Sequence, residues 1–384
     1  MSTEHLHSSN GASRVKIIIT ILTVAVLGVA VGIWLLSPVA DSGKIRIIAV
    51  VPFSGKGASH GQYVREGIQM YAKDHPNSRL EVKIVDSESD PQKAVTAFEQ
   101  QILLQAPKAA ISVLSGVSDA LAPVAESKGI MLIGVNTATN TFVENYKRTQ
   151  RINDRPIEHT APIARLVAKK FNKVGVIYSN DAFGLICKST FESTYRETNS
   201  NQLMIEPYNP SDRDQNLVVQ RLLSKKPEVV YVAGYGQAYI SIFQTLRTFK
   251  YGGQIFADID FSNPEVLSAL GDAAEGVVFA AMDFNVSPPS AWKSATFLAS
   301  YESEFKREPW LGSAFAYDAL SILDSLTIAR LPLERQSVFA LKDWPGIAAK
   351  LSFPSPGECS YVFQFVKRVS GKNIRVDLDK LEQQ

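Results

Sequence analysis

An α/β protein of two lobes, each a parallel sheet flanked by helices, is the fold class that the sequence predicts. Three observations carry it. From residue 45 onward, short apolar runs alternate with helical segments of about a dozen residues. The alternation comes in two successive series, one before Arg151 and one after it. Finally, 384 residues with 45% hydrophobic and 20% charged side chains suit an ordinary globular chain of more than one domain.

In the first series, "RIIAVVP" reads as a buried strand, and the helix after it repeats Val64, Ile68 and Ala72 on one face. "EVKIVD" is a strand by alternation. "PQKAVTAFEQQIL" opens on Pro91, which suits a first helical turn, and buries Val95, Phe98 and Ile102. The strands "AAISVLS" and "IMLIGV" bracket another helix. After Arg151, a helix through Ile163 and Val167 leads to the strand "KVGVIYS", and another helix starts near Phe183. "LMIEPY", "EVVYVAGY", "QIFADID" and "EGVVFAAM" are the next strands, with helices between them. Two helices follow, around Trp292 and from Ser313, and then two closing strands at "YVFQFVKRV" and "NIRVDL".

The segment before the first strand differs. Residues 17–36 are an unbroken apolar run, about the length a helix needs to cross a bilayer, preceded by Arg14 and Lys16 after a short tail, residues 1–16. It reads as an uncleaved transmembrane anchor. A removed signal sequence is the other reading, although the run exceeds the usual apolar core of about 7–15 residues and Pro38 ill suits a cleavage site before Ala40. Lys44 and Arg46 flank the other end, so charge alone fixes the orientation poorly, but long domains translocate largely regardless of such charges and the globular part is expected outside the cytoplasm. Two cysteines, Cys187 and Cys359, leave both a bridge in an oxidising compartment and two buried free thiols open.

Composition and motifs exclude several functions. A net charge of +2 carries no nucleic-acid footprint. The loop "PFSGKGASHG" follows a strand as a phosphate loop does. However, Val50 stands where a P-loop needs its first glycine, and Gly57 follows Lys56 in place of Ser or Thr. Gly55, Gly57 and Gly61 are spaced too widely for a dinucleotide fingerprint. His60, His75 and His159 lie on separate segments without metal-ligand spacing, so no metal or other cofactor is expected. Ser115 lacks a nucleophile elbow, because Val113 occupies its first glycine position. In parallel α/β sheets ligands bind beyond the carboxyl ends of the strands, where unpaired N–H groups of helix starts collect. The loops to watch are therefore "PFSGKGASHG", "VLSGVS", "GVNTATN", "YSNDAFG", "AGYGQA" and "ADIDFSN".

Together with "VDSESDPQKAV" and "GDAAEGVVF", in this order and at this spacing, these loops resemble those of the type I periplasmic solute-binding proteins, especially the leucine/isoleucine/valine-binding branch. The resemblance runs from Lys44 to about Phe284 and is looser after that, with a closing segment shortened around "FPSPGECSY". It implies two lobes joined by three crossovers near Arg151, Phe284 and Phe353. Lobe I would hold residues 44–151 and 284–352, and lobe II residues 152–283 and 353–384.

It also implies a ligand between the lobes, an amino acid or related small polar molecule. Ser115 would hold its carboxylate, with Asn136, Thr137 and Ala138 beside it. Phe183 and Tyr235 would form aromatic walls, and Asp260, with Asp258 as understudy, would meet an ammonium group. The glycine-rich loop becomes a rim of the cleft, with His60 facing the bound side chain. Phe183 stands where the branch usually has tyrosine and Asp260 where it has glutamate. Ser89 and Leu114 stand at the positions of the branch's disulfide, so that bridge is absent. The implied partner is an ABC-type permease. A membrane-tethered sensor acting through another protein is the alternative, and an enzyme with an unrecognised active site a minor one.

Overall fold

The computed structural model describes residues 43–286, 292–347 and 350–381. The tail and the apolar run at residues 17–36 lie outside these described residues. Among the described residues, no helix is long and apolar enough to cross a membrane.

The described residues form fourteen strands in chain order: β1 (Ile45–Val51), β2 (Leu80–Asp86), β3 (Ala109–Val113), β4 (Met131–Val135), β5 (Thr149–Arg151), β6 (Val174–Ser179), β7 (Met204–Tyr208), β8 (Val229–Ala233), β9 (Gln254–Ala257), β10 (Val278–Ala281), β11 (Asp343–Pro345), β12 (Lys350–Ser352), β13 (Gln364–Val369) and β14 (Lys372–Arg375). The first five form a wholly parallel sheet in the order β2-β1-β3-β4-β5. The second sheet runs β14-β13-β10-β9-β8-β6-β7, and β11 pairs with β12 in a small ribbon. The central strands β3, β4 and β8 are buried at every residue. This is what continuous apolar runs covered by helices on both faces require.

The second sheet departs from the purely parallel expectation at one edge. β13 runs antiparallel to β10, and β14 antiparallel to β13. The two strands turn through Ser370 and Gly371, both at positive φ (49° and 71°), the backbone of a tight hairpin. No helix is needed between them, so the edge closes without a parallel crossover.

The helix Ala58–Asp74 buries Val64 and Ile68 as its spacing predicts, but Ala72 is exposed and Tyr63, Met70 and Tyr71 are buried instead. The reason is tertiary. This helix packs on Leu311–Ile328, and a methyl group on Gly67 would lie 2.2 Å from the Ser313 carbonyl oxygen. That contact turns the buried face. In Pro91–Gln105, Phe98 is fully buried while Val95 and Ile102 are half-buried.

The chain leaves the first sheet after Arg151, and the helix Pro156–Lys170 packs on Ala182–Arg196 beside the second sheet. Near the end, Phe353, Cys359 and Tyr361 still belong to the core around the first sheet. The chain joins the second sheet only at Gln364, later than the crossover expected near Phe353. Cys187 lies in a different core, and both cysteines are buried free thiols.

Candidate functional site

The loops and helix starts beyond the carboxyl ends of β1, β2, β3, β4, β5, β6, β8 and β9 meet around a cleft of about 230 Å³. Those of the first five strands come from the first sheet and the rest from the second. Convergence of strand ends and helix starts is the usual setting for a ligand in such sheets.

On the first side, Leu114 follows β3 at φ 75°, and the helix Ser115–Lys128 begins at once with no side-chain cap. Ser118 N–H is taken by the Leu114 carbonyl at 2.9 Å. The N–H groups before it in the first turn are the ones a helix cannot satisfy internally. Ser115 Oγ accepts a hydrogen bond from Ala138 N–H at 3.0 Å, which ties the loop after β4 to the start of this helix. Asn136, at φ 55°, makes the turn between them. That turn carries the next side chain inward. Thr137 Oγ1 bonds Ser118 Oγ at 2.6 Å and the residue is fully buried. Thr137 therefore braces the loop and does not line the cleft.

The second side is made of side chains. Asp181 caps the helix Ala182–Arg196 through Gly184 N–H at 3.1 Å and also accepts from Ser179 Oγ at 3.0 Å. Its other oxygen takes Lys56 Nζ at 2.7 Å and Tyr235 Oη–H at 2.9 Å. Burial alone would raise this carboxyl group, but Lys56 and the hydrogen bonds outweigh it and hold Asp181 below the usual carboxylate range. Burial keeps the Tyr235 phenol far above its ordinary value, with Asp181 adding to it, so the phenol stays a neutral donor.

The strand expected through "QIFADID" ends at Ala257, and Ile259–Ser262 is a short 3₁₀ turn. Asp258 points backward, accepting from Gly234 N–H and Tyr239 Oη–H, both at 2.7 Å. Asp260 faces the cleft, and its Oδ1 lies 2.8 Å from His60 Nε2. Burial raises the Asp260 carboxyl group, and His60 offsets part of that. His60 is itself wedged edge-on against Tyr235 and Trp310, with ring centres 5.2 and 4.8 Å away.

The cleft thus gathers Ser115, Asn136, Ala138, Phe183, Tyr235, Asp260 and His60. It also gathers residues that the sequence reading passed over: Lys56, Asn153, Asp154, Asp181 and Leu311. Asp181 had a local signal, since it stands just after a strand and before a helix. Lys56 lay in a loop weighed only for phosphate. Leu311 had none, being brought in from a helix beyond the second sheet's strands β6–β10.

Further contacts bridge the two sides. Asn263 Nδ2 donates to Ser59 Oγ at 3.1 Å, Trp310 Nε1 donates to Ser262 Oγ at 3.0 Å, and Arg307 pairs with both Glu66 and Glu265. Among the described residues, no group of His, Cys, Asp and Glu suits a metal ion.

Residues 44–339 match the family described as "Periplasmic binding protein". The chain belongs to that family. One relative, the Leu/Ile/Val-binding protein BraC3 of Rhizobium johnstonii, is 25% identical over 268 residues, covering 66% of this chain and 72% of its own. Solved structures share the architecture. A leucine-binding protein, LivK, from Thermotoga maritima aligns with a TM-score of 0.79 at 20% identity, over 87% of this chain and 98% of its own. A solute-binding protein of an ABC transporter from R. palustris, in complex with benzoate, aligns with a TM-score of 0.78 at 18% identity, over 87% and 96%. At these identities the likeness establishes the fold, two α/β lobes of the type I kind.

Proposed function

We propose that the protein is an extracytoplasmic solute-binding protein that closes its lobes on an amino acid or related small polar molecule and delivers it to an ABC-type importer. The observation that carries this reading is the cleft built from the strand ends of both sheets, with backbone donors on one side and charged and aromatic side chains on the other. A solute there touches both lobes only when they are together, so binding favours the closed arrangement. Ser115 and the N–H groups beside it would take a carboxylate, and Phe183 and Tyr235 would pack on the remainder. Family membership supports a location outside the cytoplasm and a role in binding rather than catalysis. Residues 17–36 would hold the protein at the membrane, as their apolar sequence suggests.

Thermal unfolding of the full chain against amino acids, amides, polyols and small carboxylates tests this. A solute at a hundred times its Kd adds about 2.7 kcal/mol of stability. A complete panel without a stabilising compound would count against solute binding.

A further inference from the structure

We propose that the cleft selects small carboxylates whose second polar group is a neutral hydroxyl rather than an ammonium, and that His60 sets this choice by occupying Asp260. The inference rests on the solute-binding reading and narrows its ligand.

Two of the groups that would receive a cation are already engaged. Three carboxylates line the cleft, Asp154, Asp181 and Asp260. Asp181 holds Lys56 at 2.7 Å and Asp260 holds His60 at 2.8 Å. Asp154 Oδ2 lies 3.0 Å from His159 Nε2, without a hydrogen bond between them. A histidine N–H occupies a carboxylate oxygen whether or not the ring carries a charge. An α-ammonium entering this site must displace Lys56 or His60 or share a carboxylate with one of them, so it gains less there than at an unoccupied carboxylate.

The groups that would receive an anion are not engaged in this way. The helix at Ser115 starts without a side-chain cap, aimed at the cleft by the Leu114 turn. A carboxylate is the natural occupant of such a helix start.

A second, independent feature asks for a hydrogen-bond donor, which a hydroxyl supplies. Asn153 is 1% exposed and lines the cleft, and its Oδ1 has no protein partner. Its amide nitrogen donates to the carbonyls of Thr137 and Asp154, which fixes the oxygen as the unmet atom. Asn136 Oδ1 is unmet as well. Amide oxygens take a hydroxyl proton without requiring a compensating charge. Leu114, Val117, Ile259 and Leu311 leave the rest of the space to an apolar tail.

Matched pairs that differ only in this group decide the matter. Calorimetry on the full chain would compare 2-hydroxy-4-methylpentanoate with leucine, and 3-phenyllactate with phenylalanine. The hydroxy acid of at least one pair should bind at least about tenfold more tightly, equivalent to about 1.4 kcal/mol. His60→Ala, by releasing Asp260, should raise the affinity of the amino acid about tenfold and narrow or invert the ratio. The wild-type ratio decides the ligand class even where that variant does not fold. A wild-type preference for the hydroxy acid below about tenfold in both pairs overturns the proposal, and so does a ratio unchanged by His60→Ala. Binding of neither member of both pairs overturns it too. In that case, the broader thermal screen decides separately whether the protein binds solutes at all.

Discussion

One wall of the cleft is made mostly of backbone and the other mostly of side chains. On the first, the Leu114 turn, the start of the helix at Ser115 and the Asn136 turn fix where N–H groups point. On the second, Asp181, Tyr235 and Asp260 reach into the space, and Lys56 and His60 come across from the first lobe to meet them. The difference teaches where each property of the site resides. A backbone wall keeps its donors through most substitutions and fails only when chain packing is disturbed. A side-chain wall is tuned residue by residue, and its charge is set by which partners arrive from the opposite lobe.

The largest effect should come from disturbing the packing of the rim loop that brings Lys56 and His60 to the cleft. Gly61 lies in the first turns of Ala58–Asp74, and a methyl group there would fall 1.6 Å from the Pro52 carbonyl oxygen. Gly61→Ala should cost about 3 kcal/mol of stability, the upper end of ordinary overpacking. Urea unfolding at an unchanged midpoint would show that this contact does not set the rim.

A smaller effect belongs to the side-chain wall. Lys56→Met removes the cation that bonds Asp181, at a cost of about 1.5 kcal/mol near neutral pH. Because the folded Asp181 carboxyl lies below its ordinary value, its stabilisation is present above the unfolded value of about 3.9. It is lost as pH falls through the lower folded value. The gap between wild type and variant should therefore be full at pH 6–7 and shrink below about pH 4. A gap that grows toward acid, in denaturant titrations across that range, would contradict this assignment.

The mildest change tests how far the first wall depends on a side chain at all. Ser115→Ala leaves the Ala138 N–H without its acceptor, at a cost of about 1 kcal/mol. For a chain of this size that lowers Tm by about 2–4 °C or less. A loss several times larger would mean that the serine hydroxyl organises the wall, and not the helix start.

Much of this was legible in advance because it is local. The buried strands announce themselves as apolar runs, and each strand-end loop named from the sequence contributes to the cleft, which the segments after β2 and β5 line as well. His60 and Asp260 were each expected at the cleft as separate contacts to a ligand. That they bond one another over a separation of 200 residues has no signature in either segment. Thr137 was expected beside the ligand, but the Asn136 turn and the Ser118 hydroxyl take it out of the cleft. The buried face of Ala58–Asp74 was misjudged at Ala72 because a helix some 240 residues further on chose the contact, as the Tyr317–Asp74 bond, 243 residues apart, marks.

The sequence by itself determined the alternation of strands and helices, the two series, and which loops stand at strand ends. Hydrophobic periodicity and turn chemistry act within a few neighbouring residues. Only the tertiary structure decided which charges are spent on one another and which donors remain for a solute. Hydrogen bonding and charge pairing depend on distance through space, and chain order does not carry that distance.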